Sequence, residues 1–367
     1  MVNKTRGLQS VAAFLAVIGL LGFGTARAAP FEIGVALPLS GSNSDFGTAG
    51  RNGLALACAD MPEVCSAIRY RYEDHEYDAK RTLGTYHKLH FTDKVDLLFV
   101  WGSQPCLAVA PIAERDRAPL ICFSGDPKPN LRYVFSFNSP ASDYAKPLAD
   151  YLLQNQHSRW GLLQADMPFL QRVATELKSQ TAAVRPPSIE QTVLPDTQDF
   201  RSEILSLKSK ELSTLVVLLL PPQIAPFIKQ AAAAGLKVQL LGTDTFSSIQ
   251  AIKESNGLME GALYAEMAVN KDFERRYRER FGNGDNLSFA ANMYDFAFFA
   301  RELFGKLPHG APAADILQRL SIAGGREGRV TGPFQYVDDD KQGQFFRFKI
   351  GLRRVKGLDW ENANDDG

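Results

Sequence analysis

This chain has little net charge, few cysteines and histidines, and no apolar run long enough to span a bilayer. Its 41 Lys and Arg balance 41 Asp and Glu over 367 residues. No basic stripe stands ready to neutralise phosphates, so nucleic acid is not an expected partner. The most charge-dense stretch, Lys271 to Arg280, mixes signs at helical spacing and reads as a solvated helix with Phe273 and Tyr277 turned inward. Catalytic signatures are missing too. There is no Gly-x-Ser-x-Gly elbow, no phosphate loop ending in Gly-Lys-Ser/Thr and no His-Glu-x-x-His. Of the five histidines, His87 and His90 share a predicted helix face without a companion acid, His75 lies in an acidic loop, and His157 and His309 lie in polar connectors. An enzyme is not expected, and the sequence calls for no cofactor or metal.

The longest apolar run, Val11 to Phe23, is 13 residues. A bilayer core of about 30 Å needs about 20 helical residues, so this run does not read as a membrane span. Lys4 and Arg6 precede it and Ala26-Arg27-Ala28 follows, the small-x-small pattern of a cleavable export signal. Residues 1–28 are therefore expected to be removed before Ala29, which leaves 38 basic against 41 acidic side chains. The remaining chain, about 340 residues, exceeds the size at which one hydrophobic core stops growing, so two domains are expected. A hydrophobic share of 45% suits a folded protein, and only residues 361–367 read as a loose tail.

Export places the four cysteines in an oxidising compartment, where an even count permits two disulfides. Four cysteines allow three pairings. Cys58 and Cys65 lie seven residues apart across Asp60-Met61-Pro62, while Cys106 begins a helix and Cys122 ends the next strand. Pairing Cys58 with Cys65, and Cys106 with Cys122, is the favoured arrangement.

Along the rest of the chain, short apolar strands alternate with amphipathic helices. Strands are expected at Phe31–Leu39, Ile68–Glu73, Val95–Val100 and Leu120–Phe123. Helices are expected at Thr48–Cys58, Ala79–Phe91 (N-capped by Asp78) and Cys106–Arg117. A second alternation runs from Ser142 to Gly242. Two long helical stretches, Asp272–Phe281 and Ala290–Leu307, and a third helix at Ala313–Ile322 follow. Strand-like Gly332–Val337 and Phe345–Ile350 come last. This order predicts an α/β protein with parallel sheets covered by helices on both faces.

Several segments carry a family likeness in their order and spacing: Gly34-Val35-Ala36-Leu37-Pro38-Leu39-Ser40-Gly41 with Phe46-Gly47 and Gly53, Tyr72-Glu73-Asp74 with Asp78-Ala79-Lys80, Gln198-Asp199-Phe200, Ala231 to Lys237, Leu241-Gly242-Thr243-Asp244, Glu260-Gly261 and Thr331-Gly332-Pro333-Phe334. In these the chain resembles the type I periplasmic solute-binding proteins, the branched-chain amino acid (Leu/Ile/Val) branch in particular. The resemblance implies two doubly wound parallel-sheet lobes joined by three crossovers, with a ligand cleft between them. Carried over, lobe 1 is residues 30–138 plus 267–331 and lobe 2 is residues 139–266 plus 332–360. It further implies a monomeric periplasmic receptor that closes on a small organic solute and delivers it to the membrane permease of an ATP-driven importer. The alternative it leaves open is a sensor of the same fold that signals through a separate partner.

In open α/β sheets, ligands bind beyond the carboxyl ends of the strands. The candidate loops are Ser40–Phe46, Trp101–Cys106 and Ser124–Pro129 in lobe 1, and Asp166–Phe169, Leu220–Gln223 and Thr243–Phe246 in lobe 2. The resemblance matches Asp244 to the acid that holds a ligand ammonium, and Phe169 and Phe46 to aromatics that close over the ligand. Ser103 and Gln104 stand at a helix entry whose N–H groups suit an anion. Trp101 is a stacking candidate, Ser124 lies in the third lobe 1 loop, and Asp126 serves turn chemistry or the ligand. Departures from the family pattern are Cys106 in place of a hydroxyl residue, Pro127 in place of a Thr, and Leu220-Pro221-Pro222 in place of a Tyr-rich segment. Each removes a donor, which points to a less polar ligand such as an aromatic or branched acid.

Overall fold

The structure, a computed structural model, describes Met1 and residues 29–363 apart from positions 127, 156–158, 184, 283 and 285. Residues 2–28 of the expected export signal, Pro127, His157 and residues 364–367 lie outside the described residues.

The first α/β run gives β1 (Phe31–Leu37), α1 (Ser44–Asp60), α2 (Pro62–Ala67), β2 (Ile68–Asp74), α3 (Ala79–His87), β3 (Leu97–Trp101), α4 (Ser103–Asp116), β4 (Leu120–Phe123) and β5 (Val134–Ser136). A π-helical turn, Lys88–Thr92, extends α3. Every residue of β1 and β3 is buried, as befits strands covered on both faces. Asp78 caps α3 as expected, its carboxylate accepting the Arg81 N–H at 2.7 Å. The second run gives α5 (Ala141–Gln154), β6 (Trp160–Ala165), α6 (Pro168–Thr181), β7 (Ile189–Val193), α7 (Arg201–Lys208), β8 (Thr214–Leu218), α8 (Pro221–Ala233), β9 (Gln239–Thr243), α9 (Ile249–Glu254) and β10 (Leu263–Met267). Then come α10 (Lys271–Phe281), α11 (Leu287–Phe304), α12 (Ala313–Ser321), and strands β11 (Gly325–Gly328), β12 (Gly332–Asp339), β13 (Gly343–Phe348), β14 (Ile350–Lys356) and β15 (Asp359–Asn362).

These strands build two sheets, ordered β11-β12-β13-β5-β4-β3-β1-β2 and β15-β14-β10-β9-β8-β6-β7. Each has a parallel centre and an antiparallel edge supplied by the end of the chain. The expected two-lobed α/β architecture is therefore present, with one correction to its boundaries. Residues 332–348, assigned from sequence to the second lobe, belong to the first sheet through β12 and β13. The reason is aromatic packing. Phe137 meets Phe334, Phe346 and Phe348 with ring centroids 5.5, 5.3 and 5.2 Å away, so these strands complete the first core. The third passage between lobes thus falls at Lys349, not at 331. A second correction concerns the tail: Glu361 and Asn362 are paired in β15 with Arg354 and Arg353.

The passages between lobes run side by side and are stitched together. Ser139 Oγ donates to the Phe348 carbonyl at 3.0 Å and accepts the Phe348 N–H at 2.8 Å. Ala268 N–H donates to the Lys349 carbonyl at 3.0 Å. Two disulfides are present, Cys58–Cys65 and Cys106–Cys122, with Cα atoms 5.5 and 5.9 Å apart. No described helix is long and apolar enough to cross a membrane.

Candidate ligand-binding cleft

The carboxyl ends of β1, β3 and β4 face those of β6, β8 and β9 across a cleft of ≈ 620 Å³, counting its open mouth. Its first-lobe wall is aromatic: Phe46 of α1, Trp101 at the end of β3, Phe123 at the end of β4, and Tyr77 from the loop after β2. The Phe46 and Tyr77 rings stand 4.7 and 5.4 Å from Trp101. From the second lobe, Phe169 at the start of α6 reaches across until its ring lies on the backbone of Gly125, where a Cβ would collide with it. Tyr144, buried behind Phe169, holds that ring edge-on at 5.3 Å. Met167, Leu170, Leu220 and Pro221 fill the rest of the second-lobe wall.

Polar groups are few. Ser103 and Ser124, both buried, share a hydrogen bond between their hydroxyls at 2.9 Å, and the Asp126 N–H donates to Ser124 Oγ at 3.1 Å. Asn138 contributes an amide whose oxygen accepts from the Tyr144 hydroxyl at 3.1 Å. Trp101 Nε1 is buried without a hydrogen-bond partner.

Across the cleft stands Asp244, which ends β9 and opens a single 3-10 turn. Its Oδ1 is buried and has no hydrogen-bond partner. Burial, reinforced by the negative charge of Glu266, pushes this carboxyl up to about 7, against the opposing pull of the Thr243 hydroxyl and the Thr245 N–H. Glu266 is itself buried but has a cation: Arg353 Nη1 donates to its Oε2 at 2.6 Å. No Lys, Arg or His side chain lines the cleft among the described residues.

Six of the nine sequence candidates thus meet in one place: Phe46, Trp101, Ser103, Ser124, Phe169 and Asp244. Three do not. Gln104 follows Ser103 on α4, and the helix turns by about 100° per residue, which carries its side chain off the cleft wall. Cys106 is tied to Cys122 and, with Asp126, lines a separate small cavity on the other side of β4. Asp126 is paired there with Lys128 at 2.8 Å. Pro127, noted as a departure, lies outside the described residues. Sequence reasoning placed Asn43 and Thr245 within candidate loops without singling them out, and missed Tyr77, Phe123 and Asn138. Phe123 was readable as the last residue of a predicted strand. Tyr77 was not, because it reaches the cleft through two successive left-handed residues, Glu76 (φ 49°) and Tyr77 (φ 60°).

Asp74 and His75 hold that turn. Asp74 Oδ1 accepts the N–H groups of Leu39 and Glu76 at 2.8 and 2.9 Å, and the buried His75 Nδ1 accepts the Tyr77 N–H at 3.0 Å. Burial depresses the His75 imidazole to about 4, so it stays a neutral acceptor. The buried histidine is therefore structural. Among the described residues no group of three or more His, Cys, Asp or Glu is placed to hold a metal ion.

Two α/β lobes with an aromatic-walled cleft between them are the architecture of a two-lobed binding protein. The chain belongs to the periplasmic binding protein family, whose model matches residues 30–345. Solved structures agree on the fold. The leucine binding protein LivK of Thermotoga maritima superposes with a TM-score of 0.77 at 18% identity, over 90% of this chain and 97% of its own. An ABC transporter solute-binding protein of R. palustris, in complex with benzoate, gives 0.78 at 18% identity over 91% and 96%. The branched-chain amino acid transporter substrate-binding protein LivJ of Streptococcus pneumoniae, in complex with isoleucine, gives 0.75 at 18% identity over 90% and 98%. Comparison with curated protein sequences gives no significant match. The family and fold are those of solute-binding proteins rather than enzymes.

Proposed function

We propose that this chain is the substrate-binding component of an ABC importer, exported by residues 1–28 and working in the periplasm. It captures a small organic solute of amino-acid size, with a branched or aromatic body, as the lobes close, and presents the closed form to a membrane permease. The observation that carries this reading is the pairing of an aromatic-walled interlobe cleft with one partnerless carboxylate, Asp244. A buried acceptor without a donor is costly to leave unmet, and a ligand donor meets it. Phe169 seated on Gly125 shows the lobes in contact across the cleft. Ligand binding favours that closed form only by its differential affinity for it.

The test is a melting-temperature screen of amines, amino acids and aromatic and branched acids, followed by calorimetry on the hits and small-angle scattering with and without them. A saturable solute that raises the melting temperature, contracts the particle and is recovered unchanged supports the reading. Turnover of the solute, or binding without contraction, overturns it.

A further inference from the structure

The two walls of the cleft differ in what they leave unsatisfied, and this difference bears on the charge of the solute. The inference rests on the solute-binding reading above and narrows it. On the first lobe, the side-chain donors that line the cleft are all neutral: the Ser103, Ser124 and Tyr77 hydroxyls, the Asn43 and Asn138 amides and the Trp101 indole. Ser103 and Ser124 hydroxyls bind each other at 2.9 Å. The Tyr77 ring lies against Gly102, the residue that precedes the first turn of α4. Tyr77 reaches that position because Glu76 and Tyr77 both take left-handed backbone and because Gly102 has no Cβ to block the ring. Two non-glycine residues in that region cost free energy, and such strain is retained where the surroundings enforce it. Here it places a phenol over the helix terminus that would otherwise present its N–H groups to an anion. Trp101 Nε1–H is buried without a partner, a neutral donor that a hydroxyl, ether or carbonyl satisfies.

On the second lobe the situation is reversed. Asp244 has a buried oxygen with no partner, and no cationic side chain lines the cleft to neutralise it. Arg353, a buried cation of the second sheet, is bound to Glu266 at 2.6 Å and to the Met267 carbonyl at 2.9 Å. Opposite Asp244, on the first-lobe wall, stand Trp101, Tyr77 and Phe46, aromatic rings of the kind whose negative quadrupole attracts a cation within about 6 Å. A carboxylate brought into this space leaves water and meets no opposite charge, which is costly. An ammonium meets one carboxylate and an aromatic cage.

We infer that the cleft selects an organic ammonium cation with an apolar or aromatic body and no carboxylate, Asp244 holding the charge and the Tyr77 phenol withholding the α4 terminus from a carboxylate. The cleft then distinguishes an amine from the amino acid that differs from it only by a carboxylate.

Matched sets test this directly on the mature protein, by calorimetry at pH 8: 2-phenylethylamine, phenylalanine and 3-phenylpropionate, then 3-methylbutylamine, leucine and 4-methylpentanoate. In at least one set the amine binds at least ten-fold more tightly than the amino acid, and the acid binds least. Asp244→Asn removes the preference for the amine over the acid. Tyr77→Ala, which uncovers the start of α4, shifts the amine-to-amino-acid ratio toward the amino acid, a change that Phe46→Ala, which removes packing alone, does not produce. Tighter binding of an amino acid than of its amine, or binding of acids alone, overturns the inference and leaves the solute-binding reading standing. Failure of all classes of small molecule in the wider screen overturns both.

Discussion

The proposed pairing of Asp244 with a solute ammonium predicts an affinity that depends on pH, and the size of the effect follows from the environment of the carboxyl. Burial and the Glu266 charge hold its carboxyl at about 7 in the free protein. An ammonium binds the ionised form, so binding draws the proton off whenever the pH is near or below that value. With a free-state value near 7, the ionised fraction is about 0.9 at pH 8 and about 0.1 at pH 6. Affinity is therefore expected to fall about ten-fold between pH 8 and pH 6, equivalent to about 1.4 kcal/mol. The same proton is visible calorimetrically. Titrations repeated in two buffers of different ionisation enthalpy at pH 6 should report release of about 0.9 proton per ligand bound, falling to about 0.1 at pH 8. Asp244→Asn should show neither the slope nor the release. An affinity that stays flat from pH 6 to 8, with no proton released, refutes the assignment of Asp244 as the charged partner of the ligand.

The same group has a sign in the ligand-free protein. Its folded-state value lies above its unfolded one, so its contribution to stability is fully present below about pH 4 and is lost as the pH rises through about 7. Asp244→Asn should accordingly flatten the decline in melting temperature over that window. Gly125→Ala places a methyl where the Phe169 ring now rests, so ligand affinity should fall at least ten-fold in calorimetry, while the melting temperature of the free protein changes little. Arg353→Met strands Glu266 as a buried charge and should cost about 3–5 kcal/mol in denaturant unfolding, whereas adding Glu266→Gln should recover much of that loss. Replacing Cys106 and Cys122 together by Ala should cost about 2–4 kcal/mol through the chain entropy of the freed loop, with the cleft intact because neither sulfur lines it.

The strand–helix alternation was legible because β1, β3, β6 and β8 are short apolar runs bounded by clear turns, and each predicts itself from its own residues. What stayed hidden were facts about pairing. The sheet to which Gly332–Phe348 belongs depends on Phe137, nearly two hundred residues earlier, and no local pattern carries that information. β10 was missed because Glu266 interrupts its apolar run, and only the Arg353 partner explains how a carboxylate is tolerated there. In the cleft, loop positions close to strand ends were found, since strand ends fix them. Gln104, Cys106 and Asp126 were taken along with their neighbours, and the turn of a helix or a disulfide points each elsewhere. Tyr77 was lost to a backbone conformation that residue type does not announce.

The way the last two dozen residues finish both lobes has a bearing on how the molecule comes into being. Strand β5 waits at an open edge until β13 arrives about two hundred residues later, and β10 likewise waits for β14. Neither half can therefore be completed during synthesis while the chain is still emerging from its amino end. Contacts of such sequence separation also make folding slow compared with a chain built from local pairings. The two lobes are mutually dependent products of a nearly finished chain, and a truncation that spares every cleft residue but removes β13 and β14 would still forfeit the binding site.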